Sequence, residues 1–212
     1  MILLTAEKMP DGLDKKILAQ AVGLMFSNFE NKDFIADIQS RENGSACESL
    51  FAYALLYEQI RELPCHIDTS ELVFQRNECG KPYFKGSDVK FNISHSKGYV
   101  ACAVSVGEEL GLDIEAAEIS RERAEKMAKR YFGESEMTEI LHSPKILARK
   151  WTEKEAKAKF FGKSVGNILS NDKSARVTER NNSICLHRFS FKGTPITLCT
   201  KRDFSTIIFK IQ

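Results

Sequence analysis

The sequence predicts an α+β protein built as two halves of similar plan, residues 1–108 and 109–212, with a cleft between them. Two observations carry this. Helical periodicity comes first and strand alternation second, and this order occurs twice, each time within roughly 100 residues, a common size for a compact unit. The switch from a period near 3.6 to a period of two falls at Glu71 in the first half, and alternation returns in the last quarter of the chain. No internal sequence repeat accompanies the order of elements, so the duplication rests on that order alone.

In chain order, a first helix is predicted over Leu13 to Phe26, and the polar stretch "NFENKDFIADIQSRENG" reads as a loop or weak helix that faces a ligand. A stronger helix follows in "GSACESLFAYALLYEQIRELP", where Leu50, Tyr53, Ala54 and Ile60 share a face and Pro64 lies beyond the end. Ser45 and Glu48 form a capping-box signature at its start, which gives Glu48 a structural task. From Glu71, "ELVFQRN", "VKFNI", "YVACAV" and "GLDIE" read as one antiparallel meander separated by "ECGKP", "SHSKG" and "VGEEL". Helical pattern returns in "SRERAEKMAKRYF", ends near Gly133, restarts after Ser135 and runs again from about Pro144 to Phe161. The final quarter alternates once more, with "NN" and "KGTP" as turns.

Composition narrows the function. With 42% hydrophobic and 28% charged residues and a formal charge of +2, the 212-residue chain is of ordinary globular type. That charge is too small to argue for nucleic acid or an anionic membrane surface, so a phosphate-bearing ligand must be met by a local cluster. No stretch approaches the roughly 20 apolar residues a membrane span needs, and the N-terminus lacks a basic region and a cleavage pattern, so the expected location is cytoplasmic. Six scattered cysteines without CxxC pairs indicate reduced thiols rather than a zinc site or a disulfide framework.

Three segments offer chemistry. In "GLDIE", alternation sends Leu112 and Ile114 to one face and Asp113 and Glu115 to the other, roughly 7 Å apart. On an exposed edge such a pair is merely solvated; in a cleft it needs a cation, and an all-oxygen set suits Mg²⁺. In "ARKWTEKEAKAKFFGK", a helix places Trp151, Glu155 and Lys159 on one stripe, equally readable as a core anchor with a surface Glu–Lys pair. In "FNISHSKGYVACAV", Ser94 and His95 are adjacent on an extended segment and point to opposite faces, which speaks against a hydrolytic Ser–His pair.

Taken in order, "GKPYF", "FNISHSKGYVACAV", "GLDIE" and "KWTEKEAKAKFFGK" resemble the 4′-phosphopantetheinyl transferases. The similar type is the single-chain one that activates nonribosomal peptide and polyketide synthases, rather than the half-length trimeric one acting on fatty-acid carrier protein. The resemblance implies a pseudo-twofold α+β fold with the active site between the halves, working as a monomer. It implies transfer of the phosphopantetheine arm of coenzyme A to a serine of an apo acyl or peptidyl carrier protein, with release of adenosine 3′,5′-bisphosphate. By residue match, Asp113, Glu115 and Glu155 hold Mg²⁺ (or Mn²⁺), and the chemistry suits Glu155, directly or through water, as acceptor of the serine proton. Asp113, Glu155 and Lys159 are thus the catalytic set, and Lys159 also contacts the pyrophosphate. Ser94 and His95 face the nucleotide side of coenzyme A, His95 reaching its 3′-phosphate, and Lys81 lies beside the adenine and phosphates. Trp151 and Phe132 are packing residues.

The chain departs from that pattern where relatives carry a basic clamp for the 3′-phosphate. Here the region offers Lys32 and Arg41 among acidic Glu42 and Glu48; the resemblance points to Arg41 for the role, with Lys97 as a compensating cation, and leaves open the selectivity for coenzyme A over its dephospho form. Helix "RERAEKMAKRYF", with Met127 among basic residues, is a candidate carrier surface as much as an ordinary amphipathic helix. The competing readings are a non-catalytic coenzyme A or carrier-binding module and a Mg²⁺-dependent nucleotide pyrophosphohydrolase.

Overall fold

The computed structural model describes residues 1–41, 45–116, 119–143, 145–166, 184–201 and 206–211. The elements are β1 (Ile2–Lys8), α1 (Lys15–Met25), α2 (Asn31–Ser40), α3 (Ser45–Arg61), β2 (Phe74–Arg76), β3 (Pro82–Phe84), β4 (Val89–Ser96), β5 (Tyr99–Val106) and β6 (Leu110–Ile114), followed by α4 (Arg121–Tyr131), α5 (Glu134–His142), α6 (Lys145–Phe160), β7 (Cys185–Phe191), β8 (Thr194–Thr200) and β9 (Ile207–Ile211). The fold is mixed α+β with small sheets, as the order of periodicities predicts.

The N-terminal run "ILLTAEK" forms β1, which sits inside a four-stranded sheet of order β4-β5-β1-β9. It pairs antiparallel with β5 and parallel with β9, so the last described strand of the chain returns to the first. Both faces of this sheet are covered. Leu3, Val100, Cys102 and Val104 join α1, α2 and α3 in one core, while Ile2, Leu4, Ala6, Ala101 and Ala103 join Leu112, Ile196 and Leu198 of a second sheet. Ile2 to Ala6 are buried whichever face they point to, so β1 shows no alternation to read.

The meander expected from Glu71 to Glu115 is instead divided among three sheets. β2 and β3 pair with each other, β4 and β5 belong to the four-stranded sheet, and β6 pairs antiparallel with β8 in a sheet of order β6-β8-β7. β6 still lies against β4, but side chains make the link. The Asn92 Oδ1 accepts from the Leu112 amide at 2.8 Å and the Ser94 Oγ accepts from the Ile114 amide at 3.4 Å. Both faces of β6 are buried, so all five of its residues are inaccessible, acidic Asp113 included, while Glu115 just beyond the strand is half-buried.

Helix α6 packs directly on β6. A Cβ at Gly111 would stand 2.0 Å from the Ala156 carbonyl oxygen and 2.4 Å from the Phe160 nitrogen, so only glycine permits the approach. The β4–β5 turn is the two-residue hairpin Lys97–Gly98, both with positive φ, which matches the right-handed twist of the strands it joins. The stretch read as loop or weak helix forms α2, which buries Ile35 and Ile38 and contributes Asn31, whose amide donates to the Phe26 and Leu72 carbonyls and whose Oδ1 accepts from the Phe74 amide. The "NN" turn lies outside the described residues. All six cysteines are free, and among the described residues no helix is long and apolar enough to cross a membrane.

Candidate active site

Three elements meet at one point. β4 presents Asn92, Ser94 and Ser96 from one face and His95 from the other, as a period of two requires. Across from the first set, β6 presents Asp113, with Glu115 one residue beyond its end. The Ser94 hydroxyl donates to Asp113 Oδ1 at 2.8 Å, and the Ser96 hydroxyl donates to Glu115 Oε1 at 2.8 Å. The two serines are therefore matched to the two carboxylates, rung by rung.

From α6, the Lys159 ammonium reaches into the same point, donating to Asp113 Oδ1 at 2.8 Å and to Ser94 Oγ at 3.0 Å. Glu155 lies one turn earlier on the same stripe, and its charge is felt by Asp113, Glu115 and Lys159. Burial pushes the Glu155 carboxyl above the ordinary carboxylate range, Lys159 opposing and Asp113 and Glu115 reinforcing. Burial also pushes Asp113 up, with Lys159 and Ser94 opposing; at 6% exposure Asp113 is inside the protein. A buried carboxylate with a cation and a hydroxyl on one oxygen is fixed in orientation and leaves its other oxygen for a ligand.

His95 lies on the opposite face of β4, against α3. Its Nδ1 is 2.8 Å from Glu48 Oε2 and its Nε2 is 3.0 Å from Ser49 Oγ, while the Gly98 amide donates to Glu48 Oε1. α3 begins at Ser45, and the Glu48 carboxylate in its first turn holds the β4–β5 turn and His95. Arg41 caps the end of α2 and pairs with Asp37 at 3.1 Å; the same carboxylate oxygen takes Arg76 at 3.3 Å. Lys81 donates to Glu109 and, at 2.9 Å, to the Leu110 carbonyl, at the edge of a cleft of about 210 Å³ lined by Asn77, Tyr83, Lys90, Phe160 and Phe161. Burial lowers the affinity of Lys81 for its proton, Glu109 opposing.

The comparisons with known proteins follow this geometry. A family model described as the 4′-phosphopantetheinyl transferase superfamily matches residues 109–206, the stretch that carries Asp113, Glu115, Glu155 and Lys159. The chain is similar to the 4′-phosphopantetheinyl transferase gsp of Aneurinibacillus migulanus, 29% identical over 171 residues that span 78% of this chain and 68% of that protein. It is also similar to the 4′-phosphopantetheinyl transferase Sfp of Bacillus subtilis strain 168, 35% identical over 112 residues covering 50% and 48% of the two chains. A third relative is the 4′-phosphopantetheinyl transferase HetI of Nostoc sp., 32% identical over 112 residues covering 48% and 46%. Over the stretch that carries this cluster the chain is similar to the 4′-phosphopantetheinyl transferases.

In this chain the residues singled out by sequence fall into two groups. Ser94, Asp113, Glu115, Glu155 and Lys159 form one cluster across β4, β6 and α6. His95 sits behind that cluster with Glu48; Lys81 and Arg41 stand apart, each tied to its own carboxylate. Trp151 and Phe132 pack as expected: Trp151 meets the Tyr131 ring at 5.2 Å between centroids, and Phe132 packs on the α4–α5 core beneath Lys154.

The donor set of Asp113, Glu115 and Glu155 is all oxygen and partly buried, which is the chemistry of a hard divalent cation. Among the described residues, however, no three His, Cys, Asp or Glu side chains close into a metal-holding group. The Lys159 ammonium is the cation that Asp113 contacts, at 2.8 Å. Sequence reasoning passed over Ser49, Asn92, Ser96 and Glu109 as partners. For Asn92 and Ser96 the signal was present, since with Lys90 and Ser94 they make a polar file at every second position, opposite Val89, Phe91 and Ile93.

Proposed function

We propose that this chain transfers the 4′-phosphopantetheine arm of coenzyme A to a serine of an apo acyl or peptidyl carrier domain, releasing adenosine 3′,5′-bisphosphate. The observation that carries the reading is the Lys159 ammonium held 2.8 Å from Asp113 and 3.0 Å from Ser94, with Glu155 one turn earlier on the same helix.

Attack by a serine hydroxyl on a pyrophosphate needs positive charge at the phosphate oxygens and a base for the proton. Lys159 supplies the first from a rigid helix, its position set by two hydrogen bonds. Glu155, directly or through a water, supplies the second by accepting the serine proton. Asp113 anchors Lys159, and Ser94 in turn fixes Asp113. Asp113, Glu115 and Glu155 would hold a Mg²⁺ ion, whose charge would neutralise the pyrophosphate oxygens. On this reading His95, Arg41 and Lys81 line the nucleotide side of the donor.

The same reading takes residues 1–108 and 109–212 as the two halves of a pseudo-twofold plan, working as a monomer in the cytoplasm. A catalytic cluster assembled within one chain supports the monomer. The test is chromatography of coenzyme A incubated with the protein, Mg²⁺ and an apo carrier domain. Adenosine bisphosphate is expected only when the carrier is present. Its release without carrier would identify a pyrophosphohydrolase instead.

A further inference from the structure

We propose that Glu48 turns the nucleotide end of this site away from a 3′-phosphate and toward a 3′-hydroxyl, so that dephospho-coenzyme A serves as donor about as well as coenzyme A. The inference rests on the transferase reading, in which His95 faces the ribose end of the donor.

The argument is one of donors and acceptors. A carboxylate only accepts, so the His95 Nδ1, 2.8 Å from Glu48 Oε2, carries a proton and gives it to Glu48. Burial disfavours a second proton on the ring, Glu48 opposing, so Nε2 accepts from the Ser49 hydroxyl 3.0 Å away. Both ring nitrogens are then committed, and the imidazole has no N–H to give a phosphate. Glu48 itself accepts from His95 on one oxygen and from the Gly98 amide on the other, and each oxygen keeps a lone pair. The wall offered to a ligand is thus made of acceptors and carries a negative charge.

The two cations that act on His95 through space, Lys159 and Arg41, are each already paired with a carboxylate. Arg41, which acts on His95 only through its charge, is paired with Asp37 at 3.1 Å. Lys159 is bonded to Asp113, and Lys15 gives its ammonium to the Arg41 carbonyl at 3.0 Å. In the β4–β5 hairpin, Lys90 gives its ammonium to the Ser87 carbonyl at 2.8 Å and Lys97 sits in the turn beside Gly98. A phosphate dianion placed against Glu48 meets like charge in a half-buried setting, where repulsion is strong. A ribose hydroxyl placed there donates to the carboxylate and gains a charge-assisted hydrogen bond.

The transfer balances with either donor. The carrier serine oxygen bonds to the phosphorus that bears pantetheine, the bond from that phosphorus to the bridging oxygen breaks, and Glu155 takes the serine proton. With dephospho-coenzyme A the leaving group is adenosine 5′-phosphate.

Calorimetric titration of the folded protein with coenzyme A and with dephospho-coenzyme A, each with Mg²⁺, tests the proposal directly. Dissociation constants within about tenfold of each other are expected, with transfer from both donors. A preference for coenzyme A beyond about tenfold would overturn it. In Glu48→Gln, which keeps an acceptor for Gly98 and loses the charge, the ratio is expected to shift toward coenzyme A by about tenfold; an unchanged ratio in a folded variant would also overturn it. If that variant does not fold, the ratio for the unmodified protein decides. Failure of both ligands to bind would strike the transferase reading itself, a result distinct from selective binding of coenzyme A.

Discussion

At the scale of single residues, the site is a chain of dependencies running from Ser94 through Asp113 to Lys159. Replacing Asp113 by alanine would leave the Lys159 ammonium without its partner and a void in the core, so loss of activity and loss of stability would arrive together. Asp113→Asn keeps the shape and removes the charge. It is expected to lower kcat/KM for carrier modification by about 100-fold or more with the circular dichroism spectrum intact; near-normal activity would remove Asp113 from the machinery. Glu155 gives a prediction in pH. Burial raises its affinity for a proton in the folded state above that in the unfolded chain, so its effect on stability is neutral at low pH and unfavourable once pH rises through its raised folded value. Glu155→Gln should therefore melt at a higher temperature than the parent at pH 7, with the gap closing near the ordinary carboxylate range, about pH 4. A gap independent of pH would contradict the assignment. These roles were legible in part. Alternation placed Asp113 and Glu115 on one face and helical spacing placed Glu155 by Lys159, because both are local periodicities. The partnership of Glu48 with His95 was not legible, since 46 to 50 positions separate α3 from the β4–β5 turn it contacts and the local signature pointed to a cap.

At the scale of elements, the site depends on how closely α6 and β6 approach. The absence of a side chain at Gly111 lets the helix backbone sit on the strand, and this distance sets where Lys159 reaches. Gly111→Ala would place a methyl where the Ala156 carbonyl stands, and a loss of at least about 3 kcal/mol is expected, read as a large drop in the thermal midpoint or in soluble yield. The β4–β6 contact is a second support. Asn92→Ala would leave the Leu112 amide buried without its acceptor, at a cost of about 1–3 kcal/mol in chemical denaturation; an unchanged midpoint would show that the bond contributes nothing. The helices were readable from periodicity and flanking signals. The strands were found as segments, but their partners were not, because pairing is set by tertiary packing. The segment "GLDIE" follows "YVACAV" in sequence yet pairs with β8, some 80 residues later, since its apolar Leu112 and Ile114 complete a core with Ile196 and Leu198.

At the scale of the whole molecule, the chain closes on itself: β9 pairs in parallel with β1 across five positions, Ile2–Ala6 against Ile207–Ile211. A chain ending at Thr206 would expose the edge of β1 and uncover the apolar residues that Ile207 and Phe209 pack against. Its midpoint is expected to fall by on the order of 10 °C, and an unchanged melt would show that closure is not needed for stability. This long-range return was invisible in the sequence, where β1 and β9 are short apolar runs at opposite ends. The central claim, that the Lys159 cluster performs phosphopantetheine transfer, is tested most directly by intact-protein mass spectrometry of an apo carrier domain incubated with coenzyme A, Mg²⁺ and either the parent protein or Lys159→Met. The account predicts a gain of one phosphopantetheine arm with the parent and none in the same time with the folded variant. No gain from the parent on several folded carriers, or an undiminished gain from Lys159→Met, would contradict it.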